Sequence, residues 1–106
     1  MSSYNLNNLY PKPSVYRSSP VTGQRLTVSS SVVQFSAFAD TTNMVMFDIQ
    51  TADVMCTVDG STPTTTNGHR LISGRSYTWS TAMAAAAKFV KQGATDGVVQ
   101  ASELQM

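Results

Sequence analysis

The chain carries few side chains able to do chemistry, and they stand singly. His69 is the sole histidine and Cys56 the sole cysteine among 106 residues, with six acidic residues spread around them. A serine hydrolase would need His69 aligned by Asp59 or Asp53 and aimed at a serine that it activates. No Gly-x-Ser-x-Gly elbow is present to expose such a serine. His69 follows Asn67-Gly68 at the entrance of a predicted strand, where an imidazole ordinarily bonds turn backbone. Cys56 falls on the apolar side of a predicted strand, has no partner for a disulfide, and reads as a small buried hydrophobe. One His, one Cys and scattered carboxylates do not make a metal-ligand set. Asp48 and Asp53 flank a predicted hairpin, but glycoside hydrolysis needs two carboxylates in one cleft, and Asp53 reads as a turn former. No glycine loop of the phosphate-cradling type occurs. The expectation is a protein with no catalytic residue, metal or cofactor. A binding alternative is an aromatic sugar platform made by Trp79 and Tyr77 with Arg75 and the Thr-rich loop from Asp59 to Gly68. Aromatics at strand positions more often belong to a core.

Bulk composition narrows the partners. Charged residues make up 12% of the chain, about half the usual share. Seven basic residues against six acidic ones leave a formal charge of +1. Lys12, Arg17, Arg25, Arg70, Arg75, Lys88 and Lys91 stand apart from one another, with no basic stripe to neutralise phosphates, which argues against direct nucleic-acid binding. A polar but weakly ionic surface suits a protein packed against copies of itself or neighbours, because desolvating charges at an interface is costly. The N-terminal residues Met1-Ser2-Ser3-Tyr4-Asn5 lack the basic and apolar regions of a signal peptide, and no apolar run approaches the ~20 residues of a membrane span. The expected product is soluble, made in a cytoplasm and without a membrane partner.

The elements that must position these residues are mostly strands. Val45, Phe47 and Ile49 alternate with Met44, Met46 and Asp48; Val54, Cys56 and Val58 repeat the period of two. Thr51-Ala52-Asp53 is short enough for a hairpin between these strands. Asp59-Gly60 and Asn67-Gly68 mark turns, and Pro63 cannot donate to a ladder. His69 to Ile72 and Tyr77 to Trp79 read as short strands, and Val98 to Leu104 as the last one. From Gln24 to Phe38 the pattern is strand-like, with a bend at Ser29-Ser30-Ser31. Ser80 to Val90 is the one helix candidate, with Ser80 or Thr81 as cap, four consecutive alanines, lysines near its end and Gly93 as a stop. Residues 1–23 carry three prolines and no period. They read as an extended arm, able to span about 75 Å at ~3.3 Å per residue. Leu6, Leu9, Tyr10, Val15 and Tyr16 would be its apolar anchors on a partner. Residues 24–106 then form a mainly β domain, a small β-sandwich or barrel of five to seven strands with one short Ala-rich helix.

Two resemblances attach to these residues. Locally, Thr57-Val58-Asp59-Gly60-Ser61-Thr62-Pro63-Thr64 resembles the turn of small immunoglobulin-like modules attached to bacterial glycosidases and cell-surface proteins. From Val45 to Met106 the chain resembles short virion proteins of tailed bacteriophages, especially podovirus-like and marine phages. The shared pattern is a polar N-terminal segment, a V-x-F-D-x-Q-x-A-D-V hairpin (Val45 to Val54), a D-G-x-x-P-T…G-H-x-L loop (Asp59 to Leu71), an A-A-x-K-F helix (Ala85 to Phe89) and a short final strand. That resemblance implies a structural role in the virion: a capsid decoration or cement protein, or else a small head–tail or tail component. It implies as partners the major capsid protein or head–tail subunits and copies of the chain itself. It supplies no catalytic residue.

Overall fold

The computed structural model describes residues 17–105, and side chains from residue 23 onward. Its centre is set by the alternation in Met44–Gln50 (β2): Val45, Phe47 and Ile49 are fully buried while Met46 is 41% exposed. β2 lies inside a four-stranded antiparallel sheet of order β1-β7-β2-β5, with β1 Arg17–Val28, β5 Ser76–Ser80 and β7 Gly97–Gln105. In register, Phe47 stands beside Ala101 of β7 and Tyr77 of β5, so a small neighbour leaves room for the ring. A second antiparallel sheet of order β4-β3-β6 faces it, made of His69–Leu71 (β4), Val54–Thr57 (β3) and Lys88–Lys91 (β6). Among the described residues the architecture is a mainly β sandwich of seven strands in two sheets with one short helix, as the sequence predicts.

Aromatic rings join the two layers. Phe47 meets Phe89 of β6 at 6.2 Å between centroids, and Phe35 touches both, at 5.9 and 5.3 Å. Each such edge-on pair contributes about 0.5–1.5 kcal/mol beyond the area it buries. Phe35 belongs to residues 29–43, where the expected strand to Phe38 does not continue. After Val28 the chain leaves the first sheet and runs beside β6, with Lys91 N–H donating to Ser29 O and Val33 exchanging two backbone bonds with Phe89. That segment covers the β6 edge, and Gln24 pins it with a two-way amide bond to the backbone of Ser36.

Three expectations are corrected. Thr51-Ala52-Asp53 does not make a hairpin: it carries the chain from one sheet to the other. Thr51 takes φ +75° and Ala52 N–H bonds Gln50 O, a tight i→i+2 reversal that throws β3 into the opposite layer. Gly97 makes the crossing possible, since a Cβ there would lie 2.6 Å from Val54 Cγ1 and 2.7 Å from Ala52 O. The helix is only Thr81–Ala86 (α1), capped by Ser80, whose hydroxyl accepts Met83 N–H. Ala87 already has extended geometry, and Lys88–Lys91 form β6 rather than a last helical turn, so Gly93 ends no helix. Helix propensity of the alanines loses to burial of Phe89 and pairing of β6 with β3. Finally, β1 begins at Arg17, within the stretch read as an arm, and pairs with β7 on both sides of a register shift between Ser18 and Gly23. Pro20, which has no N–H to give, falls in that irregular stretch.

Candidate functional site

Where β3 ends, Thr57-Val58-Asp59 and the return into β4 at Gly68-His69 enclose an open cavity of about 300 Å³, with Ser61 and Asn67 on its wall. The loop between them is built by its own side chains. Asp59 Oδ1 accepts both the N–H and the hydroxyl of Ser61, at 3.0 and 2.6 Å. Thr57 Oγ1 donates to Ser61 O at 2.6 Å, tying the loop to the strand. Thr64 Oγ1 accepts the N–H groups of Thr66 and Asn67, while Thr64 N–H donates to Asn67 O. Asn67 Nδ2 reaches Thr62 O, Lys88 Nζ reaches Gly60 O, and Pro63 is buried. Gly68, at φ +129°, lets the returning chain lie against β3: a Cβ would sit 2.9 Å from Cys56 O. The two turn signals of the sequence, Asp59-Gly60 and Asn67-Gly68, thus become the two walls of one cavity.

Its electrostatics are simple. Asp59 is held below the usual aspartate range, first by the Ser61 hydroxyl and then by the Ser61 N–H. It is the one carboxylate of the lining. Oδ2 of Asp59, Oδ1 of Asn67 and both ring nitrogens of His69 form no hydrogen bond to another described residue, and the nearby His69 ring adds a smaller lowering of Asp59; all three residues belong to the lining. His69 therefore does not bond turn backbone as expected.

The structure brings His69 and Asp59 to the same cavity, but a hydrolase needs more. The serine of the lining, Ser61, spends its proton on Asp59 Oδ1 rather than on His69. Asp53 is committed elsewhere, accepting Arg70 Nε at 2.8 Å and Ser73 N–H at 2.7 Å, and Asp48 accepts the Ser76 hydroxyl. Cys56 is 1% exposed and burial pushes its thiol up to about 12, as befits a core residue. No group of three metal-ligating side chains occurs among the described residues. The aromatic platform is not assembled. Tyr77 and Trp79 pack on Phe47 at 5.5 and 4.8 Å inside the first sheet, and Tyr77 Oη accepts Ile72 N–H. Neither ring lines the loop cavity.

A second surface is the outer face of the four-stranded sheet. Register aligns Gly23, Ser102, Met46 and Thr78 in one row and Leu104, Met44 and Ser80 in the next, seven residues without a charge, of which Leu104 is buried and Ser80 caps the helix. The adjoining row holds Arg25, Gln100, Asp48 and Ser76, whose charges are engaged sideways: Arg25 donates to Gln100 and Gln50, and Asp48 accepts from Ser76. The anchors Leu6, Leu9, Tyr10, Val15 and Tyr16 lie outside the described residues. No helix among the described residues is long and apolar enough to cross a membrane. No protein-family model, curated protein or solved structure matches the chain.

Proposed function

We propose that this chain is a structural protein of a tailed-bacteriophage virion, a capsid decoration protein that binds neighbouring capsid subunits and copies of itself. The observation that carries the reading is the uncharged pair of rows on the outer face of the four-stranded sheet, centred on exposed Met46. Such a face can be covered by another protein without stranding a charge away from water. β5 ends the same sheet with no further strand beside it among the described residues, which leaves backbone groups for a neighbour to pair with. Leu6, Leu9, Tyr10, Val15 and Tyr16 then serve as apolar anchors of a leading segment that adds contact area at assembly. The resemblance from Val45 to Met106 supports the same reading, and neither surface requires a reacting group.

The test is occupancy on particles. Because β1 begins at Arg17, the informative truncation removes residues 1–16 and leaves the strand intact. Truncated protein is expected to remain folded by near-ultraviolet circular dichroism yet to be lost from purified particles. Met46→Glu, which places a charge on an exposed position, is expected to do the same at unchanged stability. Full occupancy of both variants would remove the proposal.

A further inference from the structure

We infer that the cavity between Asp59 and His69 is a binding site for a neutral polyhydroxylated ring, a pyranoside of one or two sugar units. The groups left unspent there define the ligand. Asp59 Oδ2 can only accept hydrogen bonds, the second N–H of the Asn67 amide can only donate, and the His69 ring offers one of each when neutral. A vicinal diol answers all three, because every hydroxyl both donates and accepts. Asp59 as the one carboxylate of the lining disfavours anions. A bare metal ion would find one carboxylate where several hard oxygen ligands are needed. An organic cation would look for an aromatic wall, and Tyr77 and Trp79 are engaged in the core. Val58 and Gly68 complete the lining, with the Val58 side chain packed against the core.

Size and rigidity agree with this. About 300 Å³ is the small end of ligand cavities, suited to one ring or two. The loop is already fixed by the Thr57, Ser61 and Thr64 hydrogen bonds and by Gly68, so little ordering would accompany binding. The cavity adjoins β3 and β4 in the second sheet, whereas the face proposed for virion contacts belongs to the first. The two readings can therefore fail separately.

The experiment is an amide-resolved NMR titration of the full chain with four probes: methyl α-D-glucopyranoside, methyl α-D-mannopyranoside, methyl β-D-galactopyranoside and N-acetyl-D-glucosamine. At the ligand efficiency usual for such molecules, the dissociation constant should be about 1 mM. At least one probe is expected to give saturable shifts at Ser61, Asn67, Gly68 and His69. Asp59→Asn keeps the Oδ1 acceptor that holds Ser61 and loses the charge-assisted bond to the ligand; it should bind about tenfold more weakly with the remaining spectrum unchanged. His69→Ala, at an exposed position, should also weaken binding. No saturable shift from any probe overturns the proposal, as does equal binding by both variants. Inorganic phosphate or calcium shifting the same amides in place of the sugars overturns it too.

Discussion

Replacing Gly97 by alanine tests the sheet-to-sheet crossing directly. The added Cβ would fall 2.6 Å from Val54 Cγ1 and 2.7 Å from Ala52 O, far inside the ordinary contact distance of ~3.5–4.0 Å. One of these neighbours is backbone, in a turn already constrained by Thr51 at φ +75°, so the strain cannot be relieved by rotating a side chain. Overpacking of this kind costs about 1–3 kcal/mol. For a domain of this size each kcal/mol lowers the melting temperature by about 4–8 °C, so a drop on the order of 10 °C is expected. Gly93→Ala is the matched control: nothing lies within 4 Å of its Cβ and its φ is not positive, so its effect should stay within about 0.5 kcal/mol. The assay is thermal and urea unfolding followed by fluorescence of the single tryptophan. Adding Val54→Ala should recover part of the Gly97→Ala loss in a double-mutant cycle, and only part, because Ala52 O remains. If Gly97→Ala unfolds together with Gly93→Ala, residues 51–54 do not lie over Gly97. The two strands would then have to be joined as the plain hairpin that their sequence suggests.

Other perturbations follow from the same packing. Phe89→Ala removes the ring that meets Phe35 and Phe47 and should cost about 3–5 kcal/mol in urea unfolding. Glu103, 2% exposed, accepts Ala39 N–H and the Thr42 hydroxyl; Glu103→Ala should cost about 1–3 kcal/mol for each stranded donor, and Glu103→Gln, which keeps an oxygen, distinctly less. Ser73 N–H and then Arg70 hold Asp53 below its ordinary value of 3.8. The folded state therefore binds that proton more weakly than the unfolded chain, and the contribution is present above that value and lost as pH falls through the lower folded value. Asp53→Asn should flatten the stability curve in that acid window, read by unfolding at pH 3 against pH 6. Cys56 should resist a thiol reagent in native buffer and react at full rate only in denaturant.

The alternation of Val45, Phe47 and Ile49 was enough to place β2 and its buried face, because a period of two has one geometric meaning within a strand. It says nothing about which sheet the next strand joins. Val54 to Thr57 is buried throughout, and the near-continuous run Val54-Met55-Cys56 was the available sign of a strand covered on both sides. The helix was overextended because Ala84 to Ala87 report local propensity, while Phe89 and Val90 answer to the core and to β3. The start of β1 was hidden because Arg17-Ser18-Ser19-Pro20 pairs irregularly with β7 and shows no period. The loop cavity was half legible. Asp59-Gly60 and Asn67-Gly68 announce turns, but that Asp59 and His69 share one space depends on the pairing of Cys56 with His69 across β3 and β4.

That pairing sets the proposed contact face and the loop cavity on different sheets. On the outer face of the first sheet Arg25 and Asp48 share one row, where Arg25 bonds Gln100 and Asp48 bonds Ser76, and the two rows beside it around Met46 hold no charge. The second sheet is short, and β4 offers only three residues, so the loop that joins β3 to β4 must satisfy its own backbone. It does so through Asp59, Thr57 and Thr64, which fixes the loop and keeps Asp59, Asn67 and His69 together in the cavity lining. Met46→Glu and Asp59→Asn therefore act on opposite layers, and their effects should add without coupling. A double variant whose particle occupancy departs from the product of the singles would mean that cavity and sheet face serve one interface.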